Sequence, residues 1–225
     1  QVIALHLVLA RSRPIAAPTL VVCPTSVLGN WAREIARFAP DVPVRKLSGP
    51  DRSLAGLASD EIVLVTYGVM RRMADDLAEV GWGVVVADEA QSIKNPRART
   101  SRAIRRIPAD ARIALTGTPV ENRLSELWAL LDWTTPGLLG SAEHFRTQFA
   151  QDDGRNLVGR AIGAIHHDFH AVQRQMFRKC RLGEFDIAPA RVLQAFGATQ
   201  SVRRGEAVAA VFIHHGFDGA FGFVV

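Results

Sequence analysis

The chain has 225 residues, 48% of them hydrophobic and 22% charged, with 27 Lys+Arg against 22 Asp+Glu and two cysteines. A mean hydropathy near zero fits a chain that buries a core, so global disorder is excluded. Cys23 and Cys180 are too few and too far apart for a disulfide framework or a zinc finger, which points to a reducing compartment. The apolar stretches are all shorter than a membrane span requires. Residues 2–10 are apolar, but no basic region precedes them and no small-residue cleavage site follows, so a signal peptide is not expected. An intracellular, cytoplasmic protein without a membrane partner is the expectation. The net charge of +5 permits a polyanion partner without requiring one, because the excess is nearly all arginine, Lys46, Lys94 and Lys179 being the only lysines.

Residues 1–150 alternate short β-branched runs with helix-period segments. Leu20–Val22, Val44–Leu47, Ile62–Val65, Val84–Ala87 and Ile113–Leu115 read as strands. Most are apolar without alternation, as in a sheet covered on both faces. Leu28, Trp31, Ala32, Ile35 and Ala36 recur at helical spacing, with Thr25 or Ser26 expected as the N-cap. Arg97–Arg106, after Pro96, and Leu124–Leu131 are the next helices, and Leu124, Leu127, Trp128 and Leu131 form a core stripe. This order predicts an α/β fold, a parallel doubly wound sheet whose ligands sit at the carboxyl ends of the strands.

Past residue 150 the composition changes. Residues 1–150 hold all four tryptophans and ten of the eleven prolines, whereas 151–225 hold eight of eleven phenylalanines and five of seven histidines. Val158–Phe169 is a weak helix interrupted by Gly159 and Gly163, and Gly205–Val225 has little period of either kind. A boundary at 150 separates the α/β region from a tail of uncertain order.

Three segments carry chemistry. Val84–Ala87 delivers Asp88 and Glu89 where a strand leaves the sheet. In nucleoside triphosphatases this arrangement lets the first carboxylate hold Mg²⁺ while the second orients or deprotonates the attacking water. The plainer reading is a solvated turn. Leu115-Thr116-Gly117-Thr118-Pro119 follows the next strand, and its two hydroxyls can bridge a phosphate sensor to the neighbouring carboxylates; alone it is an ordinary strand-to-helix turn. Cys23–Trp31 opens a helix with Thr25 and Ser26, whose exposed groups suit a nucleic-acid phosphate or merely cap the helix. His166, His167, His170 and Cys180 lack an acidic second shell and read as incidental rather than a metal site. Arg102, Arg105 and Arg106 read as a solvated face, with a phosphate track as the alternative.

Together, Cys-Pro-Thr-Ser-Val-Leu-Gly-Asn-Trp (23–31), Val-Thr-Tyr-Gly (65–68), Asp-Glu-Ala-Gln-Ser-Ile-Lys-Asn-Pro (88–96) and Leu-Thr-Gly-Thr-Pro-Val-Glu-Asn-Arg-Leu-Ser-Glu-Leu-Trp (115–128) resemble the first RecA-like lobe of the Swi/Snf-like ATPases, within the superfamily-two helicases. The resemblance covers about residues 1–150. It implies ATP and Mg²⁺ as cofactors, duplex DNA as partner, and displacement of DNA-bound proteins. Asp88 would hold Mg²⁺ and, with Glu89, contact the nucleotide; Glu89 would activate water. Gln91, Thr116 and Thr118 would sense the γ-phosphate or couple it to DNA. Thr25, Ser26, Thr66, Tyr67, Lys94 and Arg123 would lie near the DNA. The family's Gly-x-Gly-Lys-Thr loop is absent, Gln1–Leu5 looks like the helix that follows it, and the second RecA-like lobe with its arginine finger is missing. The chain by itself is therefore expected to be an inactive motor fragment, the alternative being a non-enzymatic module that binds DNA or a partner. The Ile93–Pro96 and Glu121–Arg123 extensions argue against an RNA helicase. The tail has the composition of an out-of-frame translation: the coding DNA, read in its other frames beyond codon 150, is expected to yield family-like helical, arginine-rich sequence, and finding none there counts against that idea.

Overall fold

The computed structural model describes residues 2–12, 17–49, 52–116, 124–137, 140–149, 212–215 and 219–222. Five parallel strands form one sheet in the order β2-β3-β1-β4-β5. They are β1 (Thr19–Cys23), β2 (Val44–Leu47), β3 (Ile62–Thr66), β4 (Trp82–Asp88) and β5 (Ala109–Leu115). Each contains one of the expected apolar runs. The helices are α1 (Val2–Ser12), α2 (Thr25–Phe38), α3 (Tyr67–Arg72), α4 (Ala74–Ala78), α5 (Arg99–Arg105), α6 (Leu124–Thr134) and α7 (Ala142–Phe149). A 3₁₀ turn at Ala90–Ile93 follows β4. Strands β6 (Phe212–His215) and β7 (Gly219–Gly222) pair antiparallel in a stretch where no period was legible. The rest of the tail, including Val158–Phe169 and the histidine and cysteine group at 166–180, lies outside the described residues. Among the described residues no helix is long and apolar enough to cross a membrane, and no group of three His, Cys, Asp or Glu could hold a metal.

The pleat sorts the strand residues into two cores. Val21, Cys23, Leu64, Val84, Val86 and Ile113 face one way, against Val27, Leu28, Trp31 and Ile35 of α2 and the apolar side of α1. Leu20, Val22, Val63, Val65, Val85, Ala87 and Ala114 face the other way, against α3 to α6. Since both faces of the central strands β1, β3 and β4 are covered, their inner positions are apolar on both sides and show no alternation, whereas the edge strands β2 and β5 admit Arg45, Lys46, Asp110 and Arg112. Burial of an aliphatic side chain contributes about 1.5–3 kcal/mol, so the alternating faces of β1, β3 and β4 supply much of the driving force. At Gly83 a Cβ would stand 3.0 Å from the Ala17 carbonyl oxygen, so a larger residue there would require the segment leading into β1 to give by a few tenths of an ångström.

Several expectations shift. The N-cap of α2 is Pro24, extended at φ −60°, ψ 152°, with no side-chain cap hydrogen bond. Thr25 is already the first helical residue and Ser26 the second, so neither hydroxyl caps the helix; both residues are exposed. Helix α5 begins at Arg99 rather than Arg97, because Asn95 first closes a turn, accepting the Arg97 amide on its side chain and the Ala98 amide on its carbonyl. Of the α5 arginines, Arg105 pairs with Asp132 at 2.8 Å and Arg106 with Asp75, while Arg102 is exposed. In the α6 stripe, Leu127 and Leu131 are buried, whereas Trp128 reaches outward and donates to the Gly140 carbonyl.

The edge is held by Arg45. Its guanidinium meets Glu61 through Nε at 2.7 Å and Nη2 at 3.2 Å, and gives its remaining protons to the carbonyls of Ser53, Ala55 and Gly56. All five donors are engaged, an arrangement lysine cannot reproduce.

His6 of α1 is 4% exposed and joins that helix to the sheet. Its Nε2 donates to the Asp60 carbonyl at 3.0 Å, which leaves Nδ1 to accept the Thr19 hydroxyl at 2.9 Å in the neutral ring. Burial lowers its pKa, against the opposing pull of the Asp60 carbonyl and carboxylate. The unfolded chain therefore takes up the His6 proton first as pH falls. The stability from the neutral ring is present in full above the unfolded value of about 6.5 and is lost as pH drops below it toward the folded value. Urea midpoints measured at about pH 7.5 and 5.5 should fall for the native chain, and His6→Gln should show a smaller fall.

Candidate functional site

The carboxyl ends of β1, β3, β4 and β5 lie along one rim of the sheet, because all five strands are parallel. Strand β4 ends at Asp88, which pairs in register with Leu115 of β5, so Thr116 is the next residue beyond the acidic tip on the adjacent strand. Asp88 continues the parity of Val84 and Val86 and projects toward the face covered by α2. There the Trp31 indole Nε1 donates to Asp88 Oδ2 at 2.7 Å, and the other carboxylate oxygen, Oδ1, accepts the Glu89 amide at 2.9 Å. From the start of α3, the Tyr67 hydroxyl donates to the Asp88 carbonyl at 2.7 Å.

Glu89 has φ 51°, ψ 55°, the one left-handed residue other than glycine among those described. That conformation costs a non-glycine residue on the order of 1–3 kcal/mol and turns the chain sharply from the strand into the 3₁₀ turn. Gln91 then folds back. Its Nε2 donates to Glu89 Oε2 at 2.7 Å, and its Oε1 accepts the Thr116 hydroxyl at 2.9 Å. Only this amide orientation satisfies both partners, since a carboxylate accepts and cannot donate. A continuous run of hydrogen bonds thus joins Trp31, Asp88, Glu89, Gln91 and Thr116 over the rim, from one face of the sheet to the other.

The remaining predicted positions divide. Thr25 and Ser26 are exposed at the start of α2. The Thr66 hydroxyl oxygen caps α3, accepting the Val69 amide at 3.3 Å, and the Tyr67 ring is turned inward to the acidic tip. Lys94 forms an ion pair with Glu126 of α6 at 3.2 Å. Thr118 and Arg123 lie outside the described residues.

Sequence reasoning assigned Trp31 to packing and did not anticipate its bond to Asp88. The signal was present in part: 88 shares the parity of 84 and 86, and α2 had to cover one face, but which face is not legible in a strand apolar on both sides.

A family model described as the SNF2-related domain matches residues 1–179. The chain belongs to the SNF2-related domain family. That match runs past residue 150, farther than the motifs themselves reach. Among relatives, YwqA of Bacillus subtilis, named as a helicase/translocase, is 42% identical over 170 residues, 73% of this chain and 18% of its own length. The ISWI chromatin-remodeling complex ATPase ISW1 of Saccharomyces cerevisiae is 32% identical over 159 residues, 68% of this chain and 14% of its own. A solved SWI2/SNF2 ATPase core of Sulfolobus solfataricus in complex with dsDNA superposes with a TM-score of 0.56 at 42% identity, covering 63% of this chain and 30% of that one. The chain therefore spans less than a fifth of these curated relatives and under a third of the solved core. The SNF2 fold assignment agrees with the parallel five-stranded sheet, and the family is one of nucleotide- and metal-using ATPases.

Within this SNF2 lobe, burial pushes the Cys23 thiol up to about 12, helped by the neighbouring Asp88 charge. The same two causes raise the Tyr67 phenol above its ordinary value, so its hydroxyl stays protonated and able to donate. Cys23 sits at the end of β1 with no exposed surface. Alkylation followed by peptide mapping at about pH 8 should leave Cys23 unmodified in the folded chain and modify it readily in denaturant; labelling of the folded chain would contradict its burial behind the acidic tip.

Proposed function

We propose that this lobe is the nucleotide-hydrolysing half of a motor that converts ATP turnover into movement along duplex DNA and displaces proteins bound there. The observation that carries this reading is the hydrogen-bond run Trp31–Asp88–Glu89–Gln91–Thr116 along the carboxyl rim. A solvated turn has no reason to hold two carboxylates in set orientations with an indole, an amide and a hydroxyl.

The donor set fits a hard divalent cation. Two carboxylates occupy one strand tip, and a single hydrogen bond on each Asp88 oxygen leaves a lone pair on each. Asp88 would hold Mg²⁺, and a bound Mg²⁺ supplies charge neutralisation for the phosphates of ATP. Glu89, turned out of the strand by its left-handed backbone and held by Gln91, would orient the attacking water and take its proton at the carboxylate. Gln91 ties that carboxylate to Thr116, just beyond the end of β5, and with Thr116 and Thr118 would couple the phosphate end to DNA. Thr25 and Ser26, uncommitted to capping, would meet the DNA backbone at the start of α2. Thr66, which caps α3, and Tyr67, whose hydroxyl also braces the Asp88 carbonyl, would lie near the same DNA backbone.

The non-enzymatic module, which would bind DNA or a partner through the exposed start of α2 at Thr25 and Ser26, is the second reading. Separate calorimetric titrations of the chain with duplex DNA and with Mg-ATP decide between them. The motor reading expects salt-sensitive duplex binding together with nucleotide binding that Asp88→Ala weakens. Duplex binding with no nucleotide signal supports the module. In a chain that also supplies a phosphate-binding loop and second lobe, Glu89→Gln should preserve both isotherms and lower hydrolysis by about 10²–10⁴-fold. The 225 residues alone are expected to show no DNA-stimulated turnover; measurable turnover would overturn the fragment reading.

A further inference from the structure

Among the described residues, three tryptophans donate their indole proton to a partner the structure identifies. Trp82 gives it to the Leu77 carbonyl and Trp128 to the Gly140 carbonyl, which are ordinary backbone contacts. Trp31 gives it to a carboxylate, Asp88 Oδ2, at 2.7 Å across 57 residues of sequence. A hydrogen bond to an ionised acceptor is roughly twice as strong as a neutral one. The indole nitrogen can only donate, so this contact has one polarity and cannot invert.

Packing alone does not call for tryptophan at this position. The face of α2 against the sheet already carries Val27, Leu28 and Ile35, and a phenyl ring would fill much of the same space. What a phenyl ring lacks is the N–H. The second Asp88 oxygen is held independently by the Glu89 amide at 2.9 Å. Two donors approaching from different elements fix the torsion of the carboxylate: rotation would break both bonds at once. Removing the Trp31 donor leaves the group tethered on one oxygen and free to turn.

We infer that Trp31 is a positioning residue, holding the Asp88 carboxylate in the orientation in which its free lone pairs meet the divalent cation. This rests on the proposed role of Asp88 as metal ligand. It also makes α2 part of the metal site, joined to it through a single nitrogen.

The test uses Mn²⁺ alone as probe on the 225-residue chain. Free Mn²⁺ is counted by electron paramagnetic resonance, and the indole N–H signals are followed by nitrogen-15 NMR, with the Trp31 signal assigned by its loss in Trp31→Phe. Mn²⁺ is expected to broaden the Trp31 signal while the Trp82 signal stays sharp. Trp31→Phe is expected to weaken Mn²⁺ binding about tenfold, the order seen when a metal ligand loses its outer partner. Placing β-(3-benzothienyl)alanine at 31, which keeps the bicyclic ring and lacks the N–H, should weaken it equally; this variant decides the matter if Trp31→Phe disturbs the Trp82 signal and hence the fold. Mn²⁺ affinity within about twofold of the native chain in the ring-preserving variant overturns the positioning role even when Asp88→Ala abolishes binding. If Asp88→Ala instead leaves Mn²⁺ binding intact, the metal reading of Asp88 has failed, and the role of Trp31 falls with it.

Discussion

The Asp88 carboxylate is held from two sides, by the Trp31 indole on one oxygen and the Glu89 amide on the other, and the geometry of the rim follows from that grip. The grip exists because β4 is buried on both faces. Its even positions, Val84 and Val86, lie under α2, so the next even residue meets that helix as it emerges from the sheet. The strand must then turn at once, and Glu89 takes a left-handed backbone to do so. Gln91 bridges the turned carboxylate to Thr116 because β5 pairs with β4 in a register that sets Asp88 opposite Leu115. A slip of one residue in that register would put Thr116 out of step with the tip and reverse the faces of the whole strand.

The hydrogen-bond run crosses the rim between the two hydrophobic layers. Asp88 belongs to the layer formed by α2, while Gln91 and Thr116 belong to the side covered by α3 to α6, where Ala90, Ile93 and Ala114 are buried. The site thus joins the two faces of the sheet through side chains and the Glu89 backbone amide. Tyr67 adds a third element, its hydroxyl on the Asp88 carbonyl anchoring the start of α3 to the same tip.

Stability and site geometry are separable in this lobe. The edge strand is held by the five donors of Arg45, and α1 by His6 between Thr19 and Asp60, both remote from the acidic tip. The rim itself carries the cost of a left-handed glutamate and a half-buried pair of carboxylates, and these are tolerated because the strands beneath are fully buried.

Much of this was legible in the amino-acid order. The strand runs are apolar because both faces are covered, and the helical stripes have the period of a side that packs, so all five strands and the helices around Leu28 and Leu127 could be placed. The acidic pair, the Thr-Gly-Thr-Pro turn and their family stood in the letters, since their chemistry demands those residues in that order. The capping of α2 was misread because a proline at the boundary closes the helix start by its own fixed φ, with no hydroxyl required. What only the folded chain decided is which groups meet. Trp31 and Asp88 are 57 positions apart, and their contact depends on the face that α2 covers; the left-handed turn at Glu89 and the inward aim of Tyr67 depend on how the strand ends pack. Periodicity records that a residue is buried, whereas the partner it finds is set by strand order and register, and those are properties of the assembled sheet.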